Sequence, residues 1–175
     1  MDFNIRPVKT DDQTDVIVFF KEVILDTLKK EGIEFSQEEF VEEIEDKTQK
    51  FEQGLDKNSV SEFFLAESEG RILGTVSVNE RGEFSKKQLP KISDDILEIA
   101  SLYVKPDYQS KGVGKKLLNH AVAFLKKRGD ETYILDSGYK NAQKVWEHLL
   151  GKPTKVLPDF WEKGCDHQFW YVRIN

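Results

Sequence analysis

One carboxylate, Glu98, stands inside the apolar run Ile96-Leu97-Glu98-Ile99-Ala100-Ser101-Leu102-Tyr103-Val104. Leu97, Ile99 and Ala100 would desolvate it, which raises a carboxyl pKa and suits the group to accept a proton, directly or through water. The alternative is a glutamate at a strand end, facing solvent or a lysine. Shortly after comes Gln109-Ser110-Lys111-Gly112-Val113-Gly114-Lys115-Lys116. Glycines there let another group approach the backbone, and the first amides of a following helix have no helical acceptor. Those amides, the positive end of the helix dipole and Lys111, Lys115 and Lys116 make an anion site suited to phosphate. A plain tight turn is the alternative. The spacing matches neither GxxxxGK[ST] nor GxGxxG, so neither nucleotide fingerprint applies.

A strand, a turn and a helix must position these residues. Ile96 to Val104 is the strand, ended by Pro106, which cannot donate to a ladder. Val113, Leu117, Leu118, Ala121, Val122 and Leu125 fall at helical spacing, and Lys126-Lys127-Arg128 with Gly129 suits the end of that helix. Upstream, Phe3 to Arg6 is a short strand stopped by Pro7. Thr10-Asp11-Asp12-Gln13 reads as a capping box opening a helix to about Lys30, broken by Gly32. Ser36-Gln37-Glu38-Glu39 is a second box, and its helix buries Phe40, Ile44 and Phe51. Glu42, Glu43, Glu45, Asp46 and Lys47 on its other face are expected to be solvated. Val60 to Glu67 and Arg71 to Asn79 are hairpin strands around Ser68-Glu69-Gly70. Residues 80–95 form a polar connection, either functional or a plain linker. Glu131 to Asp136 is a buried strand and Asn141 to Leu150 a helix stopped by Gly151 and Pro153. Thr154–Leu157 and Gln168–Ile174 are closing strands on either side of an aromatic loop, 158–164.

The pattern Val104-x-Pro106-x-x-Gln109-x-x-Gly112-x-Gly114-x-x-Leu117 resembles the acyl-CoA signature of the GCN5-related N-acetyltransferase (GNAT) family. The resemblance is strongest over 96–151 and extends from residue 3 to 174. It implies an α/β fold, one domain over 1–175 with a mixed sheet of six or seven strands flanked by helices. It implies acetyl-CoA as cosubstrate and no metal. Gln109, Ser110, Lys111, Gly112, Val113, Gly114 and Lys115 would hold the pyrophosphate. The backbone of Leu102, Tyr103 and Val104 would run beside the pantetheine arm, with amides near Leu102 and Tyr103 for the oxyanion. Glu98 falls where histone-type members carry a general base. The chain departs from the family on the helix after the fifth strand, where an asparagine, an alanine and a tyrosine are usual. Ala142 and Gly151 align, but Trp146 stands in the tyrosine position, and an indole N–H is a donor without being a usable acid. Trp146 is expected as a wall of the acyl site. Asn141 is the asparagine the resemblance implies at the CoA, although it lies nearer Trp146 than the family asparagine does and Tyr139 fills that earlier slot.

The function expected is acetyl transfer from acetyl-CoA to a primary amine in a ternary complex. The alternative is a CoA-binding sensor or interaction module without catalysis, for which Trp146 is the support. A third reading is a phosphate-binding domain for another nucleotide. A net charge of −6 over 175 residues, with no basic stripe, argues against nucleic acid. Steering by that charge favours a cationic acceptor. No apolar run approaches the ~20 residues of a membrane span, and the N-terminus lacks the pattern of a secretory signal. One cysteine excludes an internal disulfide and fits a cytoplasmic location. His120, His148 and His167 are dispersed, and Cys165-x-His167 has no second pair to complete a zinc set. Trp161 and Trp170 are expected in the core or in a homodimer contact. The acceptor pocket is expected from 30–40, 80–95 and 157–167.

Overall fold

In the computed structural model, which describes residues 2–175, Ser36 caps its helix as its type predicts. Its hydroxyl accepts the Glu39 amide at 3.1 Å while the Glu39 carboxylate accepts the Ser36 amide at 2.7 Å. This reciprocal box opens α2 (Gln37–Leu55). The start of α1 (Gln13–Glu31) is built differently from the expected Thr10 box. A 3-10 turn over Thr10–Asp12 precedes it, and the Asp12 side chain closes that turn rather than capping α1. Its carboxylate takes the Lys9 amide at 2.7 Å and the Arg6 guanidinium at 2.7 and 2.8 Å. Gly32 ends α1 in the left-handed conformation, φ +69°.

The remaining elements are β1 (Asn4–Pro7), β2 (Glu62–Ser68), β3 (Arg71–Asn79), α3 (Glu83–Gln88), β4 (Leu97–Val104), α4 (Val113–Arg128), β5 (Thr132–Ser137), α5 (Lys140–Leu150), β6 (Lys155–Glu162) and β7 (Cys165–Arg173). The strands form one seven-stranded sheet in the order β1-β2-β3-β4-β5-β7-β6. β4 and β5 pair in parallel, while β1–β2, β2–β3, β5–β7 and β7–β6 pair antiparallel. The chain groups into two compact units, one running to Glu80 and including Ile99–Phe124, the other Arg81–Glu98 with Leu125–Asn175.

The core of the first unit is aromatic. Phe63 meets Phe20 and Phe51 edge to face at 6.1 and 5.9 Å, and Phe20 meets Tyr103 in the same manner. Phe20, Phe51 and Phe63 are fully buried, each contributing about 1.5–3 kcal/mol by leaving water. In the second unit Leu89, Ile134 and Phe169 form a cluster joined by Phe84, Ile92, Ile96 and Leu157.

Two segments differ from the sequence expectation. Residues 80–95 hold α3 and are ordered around Arg81, whose side chain is buried. Its guanidinium donates to the carbonyls of Ser85, Leu89, Ile92 and Ser93 at 2.9, 3.1, 2.5 and 3.1 Å. The aromatic stretch 158–164 is mostly strand. β6 runs to Glu162, which pairs with Cys165 across a tight hairpin, and the register shift between Leu157 and Glu162 absorbs the irregularity. Trp170 is core, 1% exposed, whereas Trp161 is 62% exposed.

Candidate active site

In the first unit, Gly112 closes the turn between β4 and α4 with φ +83°. Glycine enters that region freely and a branched residue does not. The Gly112 carbonyl accepts the Lys116 amide at 3.1 Å, so Gly112 is the N-cap and the Val113, Gly114 and Lys115 amides have no acceptor within the helix. A Cβ on Gly112 would meet nothing within 4 Å, so the space above it is open, whereas one on Gly114 would lie 3.4 Å from Val104 Cγ2. Val113 is buried, and Ser110, Lys111 and Lys115 are exposed. Gln109 is held in place: its Oε1 accepts Lys30 Nζ at 2.8 Å and its Nε2 donates to the Val104 carbonyl at 3.0 Å. Lys30, at the end of α1, was not foreseen. Its ammonium also pairs with Asp26 at 2.7 Å, near the helix start that presents Lys111 and Lys115.

β4 carries a local anomaly. Ser101 has φ +49° in mid-strand, a conformation that turns peptide groups out of a ladder. Its carbonyl accepts the Thr75 hydroxyl at 2.7 Å. The ladder to β5 consists of Leu97↔Tyr133 and Glu98↔Ile134 and so ends before Ser101. The Tyr103 hydroxyl donates to Glu43 at 3.3 Å. Glu43 also pairs with Lys47, and Asp46 pairs with Lys47 and Lys50. These α2 carboxylates are therefore already matched by lysines.

In the second unit, Glu98 lies beneath the segment that Arg81 organises. Gly82 donates its amide to Glu98 Oε2 at 3.3 Å, while Oε1 is buried with no hydrogen-bond partner among the described residues. Burial pushes the Glu98 carboxyl above the ordinary carboxylate range, opposed by a Ser85 hydrogen bond and reinforced by the Asp136 charge; the Gly82 amide and Arg81 oppose it more weakly. The solvent-facing alternative does not hold, since this carboxylate is half-buried and capped by α3 and the turn before it.

Two further residues share this face. Ile134, opposite Glu98, and Asp136 lie on the same side of β5, and Asp136 pairs in register with Phe169 of β7. His167 Nε2 lies 2.7 Å from Asp136 Oδ2, and the Trp161 indole N–H donates to His167 Nδ1 at 3.2 Å. Sequence reading left His167 as a surface or core residue and passed over Asp136, because 31 residues separate them. Trp146 is on the buried side of α5, 7% exposed. Asn141 is exposed in the first turn of α5, and Tyr139 is its N-cap. His148 is exposed, and His120 packs edge-on against Phe64 at 4.7 Å. No group of three or more His, Cys, Asp or Glu among the described residues is placed to hold a metal ion. Among the described residues, no helix is long and apolar enough to cross a membrane.

Comparison with known proteins gives a consistent result. The profile of the acetyltransferase (GNAT) family matches residues 24–151. An uncharacterized N-acetyltransferase of Methanocaldococcus jannaschii is 30% identical over 110 residues, 61% of this chain and 46% of that protein. The ribosomal protein bS18-alanine N-acetyltransferase of Escherichia coli is 28% identical over 85 residues, 49% of this chain and 57% of that one. The chain thus spans about half the length of the curated relatives it matches. The crystal structure of the Escherichia coli enzyme superposes with a TM-score of 0.65 at 17% identity, covering 99% of this chain and 95% of that one. The PaiA N-acetyltransferase of Thermoplasma acidophilum, in complex with coenzyme A, superposes with a TM-score of 0.68 at 21% identity over 99% of each chain.

Proposed function

The chain belongs to the acetyltransferase (GNAT) family, and from that premise we propose that it transfers acetyl from acetyl-CoA to a primary amine in a ternary complex. One observation carries this reading: β4 holds at its start a half-buried carboxylate, which burial pushes above the ordinary carboxylate range, and leads, past an irregular residue, to a helix start whose first amides have no helical acceptor. The proposed base and phosphate anchor thus belong to one continuous segment of chain.

The residues present fit the CoA group. Open space above Gly112, three amides without helical acceptors and the exposed Lys111 and Lys115 suit a pyrophosphate. Gln109, Ser110 and Val113 complete that turn, and Asn141 is assigned to CoA from the first turn of α5. The backbone of Leu102, Tyr103 and Val104, beyond the paired residues of the β5 ladder, is assigned to the pantetheine arm. Acetyl-CoA supplies an acetyl group activated as a thioester. Glu98 takes the proton from the acceptor ammonium, which leaves a neutral amine to attack. Backbone amides near Leu102 and Tyr103 receive the negative charge that develops on the acetyl oxygen. A thiol with a pKa of about 8.5 leaves as thiolate without a strong acid. Trp146 accordingly serves as a wall and not as a proton donor.

The absence of a tyrosine at Trp146 favours one second reading, a CoA-binding sensor without turnover. A thiol-release assay with acetyl-CoA separates the two, using panels of amines, polyamines, aminoglycosides, amino acids and peptides. Release that depends on a primary amine supports the transferase. CoA binding with no amine-dependent release from any class supports the sensor.

A further inference from the structure

Asp136 is oriented by a chain of contacts that begins at the exposed tip of the β6–β7 hairpin. Gly138 follows β5, and a Cβ there would come within 2.5 Å of Trp161 Nε1 and 3.2 Å of His167 Nδ1. Only a residue without a side chain lets the indole settle at this point. The Trp161 N–H then donates to His167 Nδ1. An indole can only donate, so Nδ1 is the accepting nitrogen and Nε2 carries the hydrogen that Asp136 Oδ2 receives. His167 itself is 6% exposed and packed between Phe84 and Phe169, with ring centroids at 4.9 Å from each. The imidazole is therefore fixed in position and in tautomer.

The sheet register places the oriented carboxylate beside Glu98. Glu98 stands opposite Ile134 in the parallel ladder, and Asp136 is the next residue on that face of β5. Diagonal neighbours on one face lie within reach of longer side chains. The groups facing Glu98 are Arg81 and the Gly82 amide from the turn before α3, Ser85 from α3 and Asp136 from β5, with His167 of β7 behind Asp136. Among these Asp136 is the one anion. Arg81 is the one cation, and its guanidinium is occupied by backbone carbonyls and by Asp94 Oδ1 at 3.3 Å.

We propose that Asp136, held by His167 and Trp161, is a positioning residue that sets the proton-accepting strength of Glu98 and thereby the pH range of acetyl transfer. This rests on Glu98 being the base. A negative charge beside a half-buried carboxylate disfavours its ionised form, so Glu98 binds its proton more firmly than burial alone would dictate. The hairpin tip thus acts on the chemistry without touching substrate.

The test reads Glu98 in two ways. Carboxyl carbon NMR follows its titration, assigned by the signal lost in Glu98→Gln, and kcat/KM is measured across pH with the best acceptor. Asp136→Asn keeps an oxygen for His167 and removes the charge. It should move the Glu98 midpoint and the acid limb of kcat/KM to lower pH, raising the limb-to-plateau ratio roughly threefold or more. His167→Gln, which retains an N–H for Asp136, should leave both in place, whereas His167→Ala should move both part of the way. A Glu98 midpoint unchanged in Asp136→Asn and His167→Ala overturns the proposal. A midpoint that moves while the rate profile does not would uphold the coupling and instead remove Glu98 from the role of base.

Discussion

Glu98 and Trp146 are the residues on which the proposed chemistry turns, and they differ in how far the sequence revealed them. A carboxylate between Leu97 and Ile99 announces its own desolvation, and burial does raise its pKa. Glu98 accepts a proton only when ionised, so wild-type turnover should fall as pH drops through that raised value. Glu98→Gln should lower turnover by about 10²–10⁴-fold, the usual worth of general acid–base catalysis. It should also abolish the acid limb and leave acetyl-CoA affinity nearly unchanged; normal rates across pH would place the base elsewhere. Trp146 is buried, so its removal carries two costs that activity and melting measurements separate. Trp146→Phe should keep most activity because shape is largely retained. Trp146→Ala should cost about 3–5 kcal/mol of stability and a larger share of turnover, through looser placement of the reacting groups. A Trp146→Tyr variant that raised turnover by orders of magnitude from a near-zero wild type would show that the missing acid matters. His167 and Asp136 were illegible for a different reason. Their pairing depends on the antiparallel register of β5 and β7, and no local pattern around either residue encodes it.

At the scale of elements, the signals read correctly were local ones. The Ser36–Glu39 box, the glycine after α1 and the apolar spacing of α4 each depend on residues within one or two turns. The segment 80–95 looked like a polar linker because its organiser is a single arginine. Arg81 satisfies carbonyls up to 12 residues away, and polar residues that serve one buried cation leave no periodicity. The tail misled for the opposite reason, since aromatic residues around Pro158 and Gly164 suggest a loop, yet most of them belong to β6. The turn into α4 supports a direct prediction. Gly112 has φ +83° with open space above it, so Gly112→Val should strain the backbone by about 1–3 kcal/mol and fill the volume assigned to pyrophosphate. Thermal stabilisation by CoA, about 2.7 kcal/mol at a hundredfold excess over Kd, should vanish in a variant that still folds. Unchanged stabilisation would remove the α4 turn from the CoA site.

For the whole molecule, we infer from the strand and helix continuity that the chain is one domain. β4 and α4 each run through both compact units, so neither unit holds all of its own elements. Thermal unfolding followed by tryptophan fluorescence and by far-ultraviolet dichroism should give coincident single transitions; two separated transitions would mean that the units fold independently. The central claim, acetyl transfer to a primary amine, concerns the whole chain and is tested most directly by following the acetyl group. Wild-type protein is incubated with acetyl-CoA labelled with carbon-13 in the acetyl group, together with the amine that gives the fastest thiol release, and the amine is recovered for mass spectrometry. The account predicts labelled N-acetylamine in amounts matching the thiol released, lost in Gly112→Val and sharply reduced in Glu98→Gln. Thiol release without labelled amine, or labelled amine formed equally well by both variants, would contradict it.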